Sequence, residues 1–279
     1  MEIREQMKLF HENPVVGWHE HISLYRGYEK LDMDNALGTL KVMDELGIDK
    51  IVTSIPVVDH KRGDIKYAIA ANNLTYEATK LSPDRIFGLC YVHPGQHELA
   101  LREIERCVNE LGFVGVKLYY DYFMDDPIQH PIIEKCIELD IPILMHSMKY
   151  YDEGNKLRQP LTSNGVHMAN AARKFPDATF IMGHFTICDW KWSIKAIADC
   201  PNVYTDISGS NFDRPGIEEA VSLLGANRLL WGTDGAWSAG VGKLLGAELS
   251  EEDKKTILSG RDFERFLCRK KKNLKKLPE

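Results

Sequence analysis

Four histidines and one aspartate stand at the ends of short apolar segments that have the composition of buried β-strands. They are His19, His21, His146, His184 and Asp234. Imidazole nitrogens and carboxylate oxygens are ligands that divalent metal ions take in proteins. If the ends of these segments meet at one edge of the fold, the five side chains can form a metal site.

The spacing of the first pair supports this hypothesis. Residues i and i+2 of a strand point to the same face, so His19 and His21 share one face and Glu20 points to the other. An isolated His-x-His is more often a surface or core pair than a metal site. It is the placement of all five residues at strand ends that favours a metal centre over separate structural histidines.

The chain alternates short apolar segments with longer amphipathic ones. Continuous runs of Val, Ile and Leu are typical of parallel strands that are buried on both faces. Eight such strands are predicted, at residues 15–18, 50–56, 86–92, 114–119, 141–146, 179–184, 203–207 and 228–232. Strands alternating with helices over this length predict an α/β fold, a (β/α)8 TIM barrel. An open doubly wound sheet is less favoured, because no GxGxxG follows the first strand.

The same pattern predicts the domain organisation and some helix ends. We expect one domain over residues 1–279, with a barrel core at about 14–268 and an extra N-terminal helix within residues 1–13. Apolar residues at helical spacing follow Asp34, which we expect to cap that helix, and Gly47 should end it.

Composition excludes several classes of protein. The chain has 279 residues, 44% hydrophobic and 27% charged, with a formal net charge of -6. This charge argues against nucleic acid as a partner. No apolar run is long enough to span a membrane, and the charged start does not resemble a secretory signal. The six cysteines form no CxxC pair and are expected to be reduced thiols in a cytoplasmic protein.

The order His-x-His, His, His, Asp on predicted strands one, five, six and eight resembles that of the amidohydrolase superfamily. Gly115-Val116-Lys117-Leu118 and Gly232-Thr233-Asp234 add to the resemblance, as does the segment from Ser250 to Gly260. The most similar branch is the amidohydrolase-related group that includes aminocarboxymuconate-semialdehyde decarboxylase. The resemblance covers nearly the whole chain and implies a small-molecule substrate and, in many relatives, a homodimer.

The resemblance also implies roles for the five residues. His19, His21, His146 and Asp234 would bind the metal, and Asp234 and His184 would be catalytic, acting on the metal-bound water. One Zn²⁺ is the expected ion, although Mn²⁺, Fe²⁺ and Co²⁺ use similar ligands. Lys117 would bridge a second metal if it were carboxylated; we favour a single metal with Lys117 as a charge partner.

Polar and aromatic residues on predicted strand four and in the predicted loops are candidates for substrate binding. They are Lys117, Tyr119, His60, Arg62, Arg214 and Trp237. Cationic side chains can bind a carboxylate while aromatic rings cover an apolar or cyclic body. The residues therefore favour a small carboxylated or cyclic substrate, although charged loop residues are also common at surfaces that bind nothing.

Three functions follow from these residues. The main expectation is a hydrolase that attacks an amide, ester or lactone through a metal-activated water. The alternative is a metal-dependent non-oxidative decarboxylase, which is distinguished by CO₂ release. A non-catalytic ligand-binding barrel is the third, and it is disfavoured because His184 and Asp234 are both present. The histidines could also be buried structural residues that bind no metal. In that case, substitution of His19 would change the stability of the protein but not its metal content.

Overall fold

The computed structural model describes residues 3–22, 27–57, 61–147, 159–185, 190–209, 213 and 215–268. The strands are β1 (Val16–His21), β2 (Lys50–Ser54), β3 (Ile86–Tyr91), β4 (Gly115–Leu118), β5 (Ile143–Met145), β6 (Phe180–Met182), β7 (Val203–Asp206) and β8 (Leu229–Leu230). The helices are α1 (Ile3–His11), α2 (Met33–Leu46), α3 (Ile65–Leu81), α4 (Glu98–Asn109), α5 (His130–Glu138), α6 (Gly165–Lys174), α7 (Trp190–Ala196), α8 (Gly216–Leu224), α9 (Trp237–Gly246) and α10 (Glu251–Ser259).

The eight strands form one parallel sheet in chain order. The chain after β8 returns to β1, where the backbone N–H of Trp18 donates to Trp231 O at 2.8 Å and the backbone N–H of Asp234 donates to His19 O at 2.9 Å. These bonds join the last strand to the first. The predicted (β/α)8 TIM barrel is confirmed, and each predicted strand coincides with an observed one. Helix α1 precedes β1 as expected, whereas the domain boundaries stay a prediction.

The strands alternate between an inner and an outer layer. Val52, Leu144 and Leu230 belong to a buried cluster inside the barrel, and their chain neighbours pack against the surrounding helices. The register of β1 shifts between Gly17 and Glu20. Trp18 therefore packs in the inner cluster, with its ring centroid 4.8 Å from that of Phe263, and the histidines that follow lie at the C-terminal mouth.

One predicted helix cap is wrong by two residues. Asp32, not Asp34, is the N-cap of α2, and its side chain accepts the N–H of Asn35. A cap must lie outside the helix in extended backbone, whereas Asp34 lies in the first turn. There its negative charge still interacts favourably with the positive end of the helix dipole. Gly47 ends the helix at φ 74 as predicted.

The cysteines in the described part of the chain are free. Four of them are buried and Cys268 is exposed; Cys188 lies outside the described residues. Within the described ranges, no helix has the length and apolar character that crossing a membrane requires.

Candidate metal centre and active site

His21 ends β1 and is oriented by the neighbouring strand. Its Nδ1 lies 2.8 Å from Ser54 O. A carbonyl can only accept, so Nδ1 carries the proton and donates it, and the lone pair lies on Nε2. That Nε2 is 3.1 Å from Asp234 Oδ1. Two acceptor atoms this close require a proton or a metal ion between them.

His19 is oriented in the same way by a carboxylate. Its Nδ1 donates to Asp206 Oδ2 at 2.8 Å, which leaves the Nε2 lone pair facing Lys117 Nζ at 2.9 Å. His19 Nε2 is also 3.8 Å from Asp234 Oδ1. A carboxylate that fixes the tautomer of a histidine from behind is the usual outer partner of a metal-binding imidazole.

The ligand atoms of His19, His21 and Asp234 lie within 4.8 Å of one another. Two imidazole lone pairs and a carboxylate oxygen converge there, and this donor set suits a divalent transition metal. The buried Lys117 ammonium stands beside the same lone pair of His19, and burial lowers its pKa to about 8. The donor atoms of His19, His21 and Asp234 fit a divalent ion.

His146 and His184 lie on the other side of this cluster. Their ring centroids are 4.9 Å apart, and the His184 centroid is 4.5 Å from that of His19. Among the described residues, neither Nε2 has a hydrogen-bond partner, although both atoms are buried. A buried polar atom left unpaired costs about 1–3 kcal/mol, so both nitrogens are available for a ligand. His146 lies outside the tight group of three.

Electrostatics keep Asp234 ionised. Burial by itself would raise the pKa of its carboxyl, but the imidazoles of His184, His21 and His19, whenever one of them is protonated, hold that pKa below its ordinary value. Burial lowers the pKa of His184 to about 3, so its ring is neutral at pH 7. The Asp234 side chain is 31% exposed, whereas His19 and His184 are each 1% exposed. Asp234 is thus the charged member of the cluster that a substrate can reach.

Both turns that carry the acid–base candidates have strained backbone. His184 has φ 58 and Asp234 has φ 55, a left-handed conformation that is uncommon for residues other than glycine. Such strain persists only where surrounding contacts maintain it, and it is concentrated at functional sites. The two turns come shortly after strands β6 and β8, so both side chains lie at the C-terminal mouth of the barrel.

An aromatic wall adjoins the cluster. The ring of Tyr119 stacks on His146 with centroids 5.5 Å apart, and Tyr120 meets the same imidazole edge-on at 5.3 Å. The guanidinium carbon of Arg62 lies 3.9 Å from the Tyr120 centroid, and Arg62 Nε is 3.4 Å from Asp121 Oδ1. A cation therefore stands beside a flat aromatic surface, next to the metal-site candidates.

The remaining predicted substrate residues are placed differently. Trp237 begins α9 and is partly buried against the hydrophobic core. Lys117 lies inside the barrel, with Nζ 4.9 Å from the Tyr119 ring centroid. His60 and Arg214 lie outside the described residues.

Comparison with protein families gives one match that spans most of the barrel. The family described as Amidohydrolase matches residues 35–260. The chain belongs to the amidohydrolase family. The matched range begins after β1, so His19 and His21 lie outside it and are supported by the geometry.

Individual relatives of this amidohydrolase are decarboxylases and a hydratase. The gamma-resorcylate decarboxylase of Polaromonas sp. is 29% identical over 251 residues, which covers 70% of this chain and 75% of the relative. The 2-keto-4-carboxy-3-hexenedioate hydratase of Sphingobium sp. is 33% identical over 125 residues, 38% of this chain and 36% of the hydratase.

A solved structure supports the fold. The dihydroxybenzoic acid decarboxylase of Polaromonas sp., with bound manganese and the inhibitor 2-nitroresorcinol, has a TM-score of 0.70 at 23% identity and covers 94% of this chain and 99% of that one. Together with the family match, these relatives show that this amidohydrolase is an enzyme. Neither curated relative named above is a hydrolase, so hydrolysis is not confirmed.

Two residues that position the histidines were not among the predicted site residues. Asp206 accepts His19 Nδ1–H and the backbone N–H of His184 at 3.0 Å. Ser208 Oγ lies 2.9 Å from His184 Nδ1. Asp206 occupies the end of β7, the same location as the five predicted residues at their strand ends. Asp206 therefore carries the same signal in the sequence, a titratable residue at a strand end, whereas Ser208 has no comparable signal.

Lys243 supports this segment from α9. Its Nζ donates to Ser208 O at 2.9 Å and to Gly209 O at 2.6 Å. Burial lowers its pKa to about 8. The lysine therefore fixes the chain after β7, where Asp206 and Ser208 orient the histidines.

We expect Lys243→Met to change how stability depends on pH. The folded pKa of about 8 is below the ordinary value of 10.5, so between these values the unfolded chain holds the extra proton and wild-type stability rises with pH. The variant should lack this rise, which amounts to at most about 3 kcal/mol. Urea unfolding between the two pKa values measures the difference; parallel pH profiles would contradict the prediction.

Proposed function

We propose that this member of the amidohydrolase family is a metal-dependent, non-oxidative decarboxylase of small phenolic carboxylic acids. The observation that carries the proposal is the aromatic wall of Tyr119 and Tyr120 beside the His19–His21–Asp234 cluster, with Arg62 against Tyr120. A flat ring fits against such a wall while its carboxylate pairs with a guanidinium. Similarity to gamma-resorcylate decarboxylase over most of the chain favours this reaction over hydrolysis.

The proposed metal ligands are His19, His21, Asp234 and His146. A divalent ion held by them would act as a Lewis acid toward a substrate hydroxyl and lower its pKa. Manganese is a stronger candidate than zinc, because a related decarboxylase structure contains it. Lys117, with its Nζ 2.9 Å from His19 Nε2, is assigned as a charge partner at a single-metal site.

The proton moves through Asp234. Its carboxylate is ionised and partly exposed, so it accepts the proton of the hydroxyl next to the substrate carboxylate. It then donates this proton to the ring carbon that bears the carboxylate. The carbon–carbon bond breaks, CO₂ leaves, and the bonding pair returns to the ring. The phenolate product takes a proton from water, so one proton is consumed for each CO₂ released.

The other residues hold the substrate in the orientation that this transfer needs. His184 is neutral because burial lowers its pKa, and we assign its unpaired Nε2 a hydrogen bond to substrate. Arg62 binds the carboxylate, and its contact with Asp121 fixes the guanidinium. Placing the acid beside the reacting carbon supplies much of the catalytic advantage.

The test is a set of substrates offered to the manganese-loaded enzyme. We expect gamma-resorcylate or another dihydroxybenzoic acid to release one CO₂ for each phenol formed. The methyl esters of the same acids should not react, since they lack the leaving carboxylate. Ester cleavage without CO₂ would support a hydrolase. Addition of water to an unsaturated di- or tricarboxylate, again without CO₂, would support a hydratase; either result would overturn the proposal.

A further inference from the structure

Glu20 points away from the metal-site candidates, yet only 1% of its surface is exposed. It lies between His19 and His21 on β1, and strand alternation turns its side chain to the opposite face. There it meets the turn that carries Asp234. A buried carboxylate is costly unless hydrogen bonds compensate for its lost hydration, so its partners show what it does.

Those partners are the two residues that flank Asp234. Glu20 Oε1 accepts the backbone N–H of Thr233 at 2.8 Å. Glu20 Oε2 accepts the Thr233 hydroxyl and the backbone N–H of Gly235, at 3.4 Å. One carboxyl group therefore binds the turn immediately before and immediately after Asp234.

The turn needs such support because Asp234 is strained. Its φ of 55 is a conformation that costs about 1–3 kcal/mol in a non-glycine residue. The backbone bond from Asp234 N to His19 O at 2.9 Å fixes one point of the turn. The bonds to Glu20 fix its two neighbours, so that Asp234 can hold its carboxylate 3.1 Å from His21 Nε2.

Gly17, which has no side chain, leaves space for the side chain of Glu20. A Cβ atom at Gly17 would lie 2.9 Å from Glu20 Oε1 and 3.2 Å from Glu20 Cγ. Both distances are shorter than a relaxed contact allows. Glycine at position 17 therefore permits the conformation in which Glu20 reaches the turn.

We propose that Glu20 is a positioning residue that fixes the Asp234 turn to β1 and so sets the distance between the Asp234 carboxylate and the imidazoles of His19 and His21. This inference rests on the proposed role of Asp234 as a metal ligand. It assigns the middle residue of the His-x-His motif a function of its own, carried by the face that the two histidines do not use.

The principal test is Mn²⁺ affinity of Glu20→Gln, measured by titration with detection of free Mn²⁺. The amide replaces one acceptor oxygen by an NH₂ group, which faces the N–H of Gly235 or the N–H of Thr233. Loss of an outer partner of a metal site typically costs about 10- to 100-fold in affinity, and we expect a loss in that range. Glu134→Gln makes the same chemical change on an exposed face of α5 and should bind Mn²⁺ like the wild type.

Variants of Thr233 test the same contact from the other side. Thr233→Val preserves the shape of the side chain but removes the hydroxyl, which donates to Glu20 and accepts the N–H of Gly235 at 3.2 Å. Mn²⁺ affinity should therefore fall, whereas Thr233→Ser should restore it. This pair keeps the proposal testable if Glu20→Gln does not fold. Mn²⁺ affinity within twofold of wild type in a folded Glu20→Gln or Thr233→Val variant would overturn the proposal, even if melting temperature falls.

Hydrogen exchange separates this inference from the proposed function. In the metal-free protein, we expect the amides of Thr233 and Gly235 to exchange at least tenfold faster in Glu20→Gln than in the wild type. Failure of the wild type to bind Mn²⁺ would contradict the metal site, whereas the exchange rates would still decide whether Glu20 holds the turn. Unchanged exchange at both amides would overturn the positioning role.

Discussion

Asp234→Asn is expected to lower the turnover of a phenolic acid by about 10²- to 10⁴-fold, the usual contribution of a positioned acid or base. The amide nearly preserves the shape of the carboxylate but cannot carry the proton from the substrate hydroxyl to the ring carbon. Turnover is measured as CO₂ release at saturating manganese and substrate, so weaker metal binding does not limit the rate.

The matched control for this variant is Asp177→Asn, which makes the same change at an exposed position. It should retain wild-type turnover. If Asp234→Asn kept more than about a tenth of wild-type turnover, another group would have to transfer the proton, and the assignment of Asp234 would be wrong.

His21→Ala is expected to weaken manganese binding strongly. Loss of an outer partner of a metal site costs about 10- to 100-fold in affinity, and loss of a ligand should cost more. The reason is direct: His21 Nδ1–H is bound to Ser54 O, so Nε2 has its lone pair directed at Asp234. Equilibrium dialysis followed by elemental analysis measures bound manganese per chain. The exposed His11 provides the control, since His11→Ala removes an imidazole far from the barrel mouth.

Retention of manganese by His21→Ala at wild-type affinity would place the metal elsewhere in the barrel. The group of His19, His184 and Asp206 is the other cluster found among the described residues. Asp206 there already accepts from His19 Nδ1 and from the backbone of His184. For this reason we assign that group to orientation of the histidines and not to metal binding.

The barrel was predictable because parallel strands buried on both faces leave a strong signal. Residues 86–92, for example, are a continuous apolar run, and they contain β3. Strand ends were less predictable. Strand β8 pairs with β7 through Leu229 and Leu230 alone, although the predicted strand ran to residue 232. Hydrophobicity does not record where this pairing stops.

The site was predictable where residue type and strand position agree. His19, His21 and Asp234 were singled out on that basis, and the structure brings them together. The partners that orient them were not, because their importance comes from contacts between distant segments. Glu20 lies 213 residues from Thr233 along the chain, and Asp206 lies 187 residues from His19. Periodicity within one segment carries no information about such pairs.

The residues proposed to contact substrate were the hardest to predict. Tyr119 stacks on His146 and Arg62 on Tyr120, whereas Trp237 packs against the core. Tyr119, Arg62 and Trp237 are all aromatic or cationic residues in segments that follow strands, so composition does not distinguish them. What separates them is the direction of the chain after each strand, which is set by tertiary packing.

The most direct test of a manganese-dependent decarboxylase is the rate of CO₂ release from gamma-resorcylate as a function of manganese bound per chain. The metal-free protein is titrated with Mn²⁺, and bound metal and CO₂ are measured in the same samples. We predict a rate that rises linearly up to one equivalent, stays constant beyond it, and disappears when a chelator removes the metal. No CO₂ release at one bound equivalent, from gamma-resorcylate or other dihydroxybenzoic acids, would contradict the proposed activity.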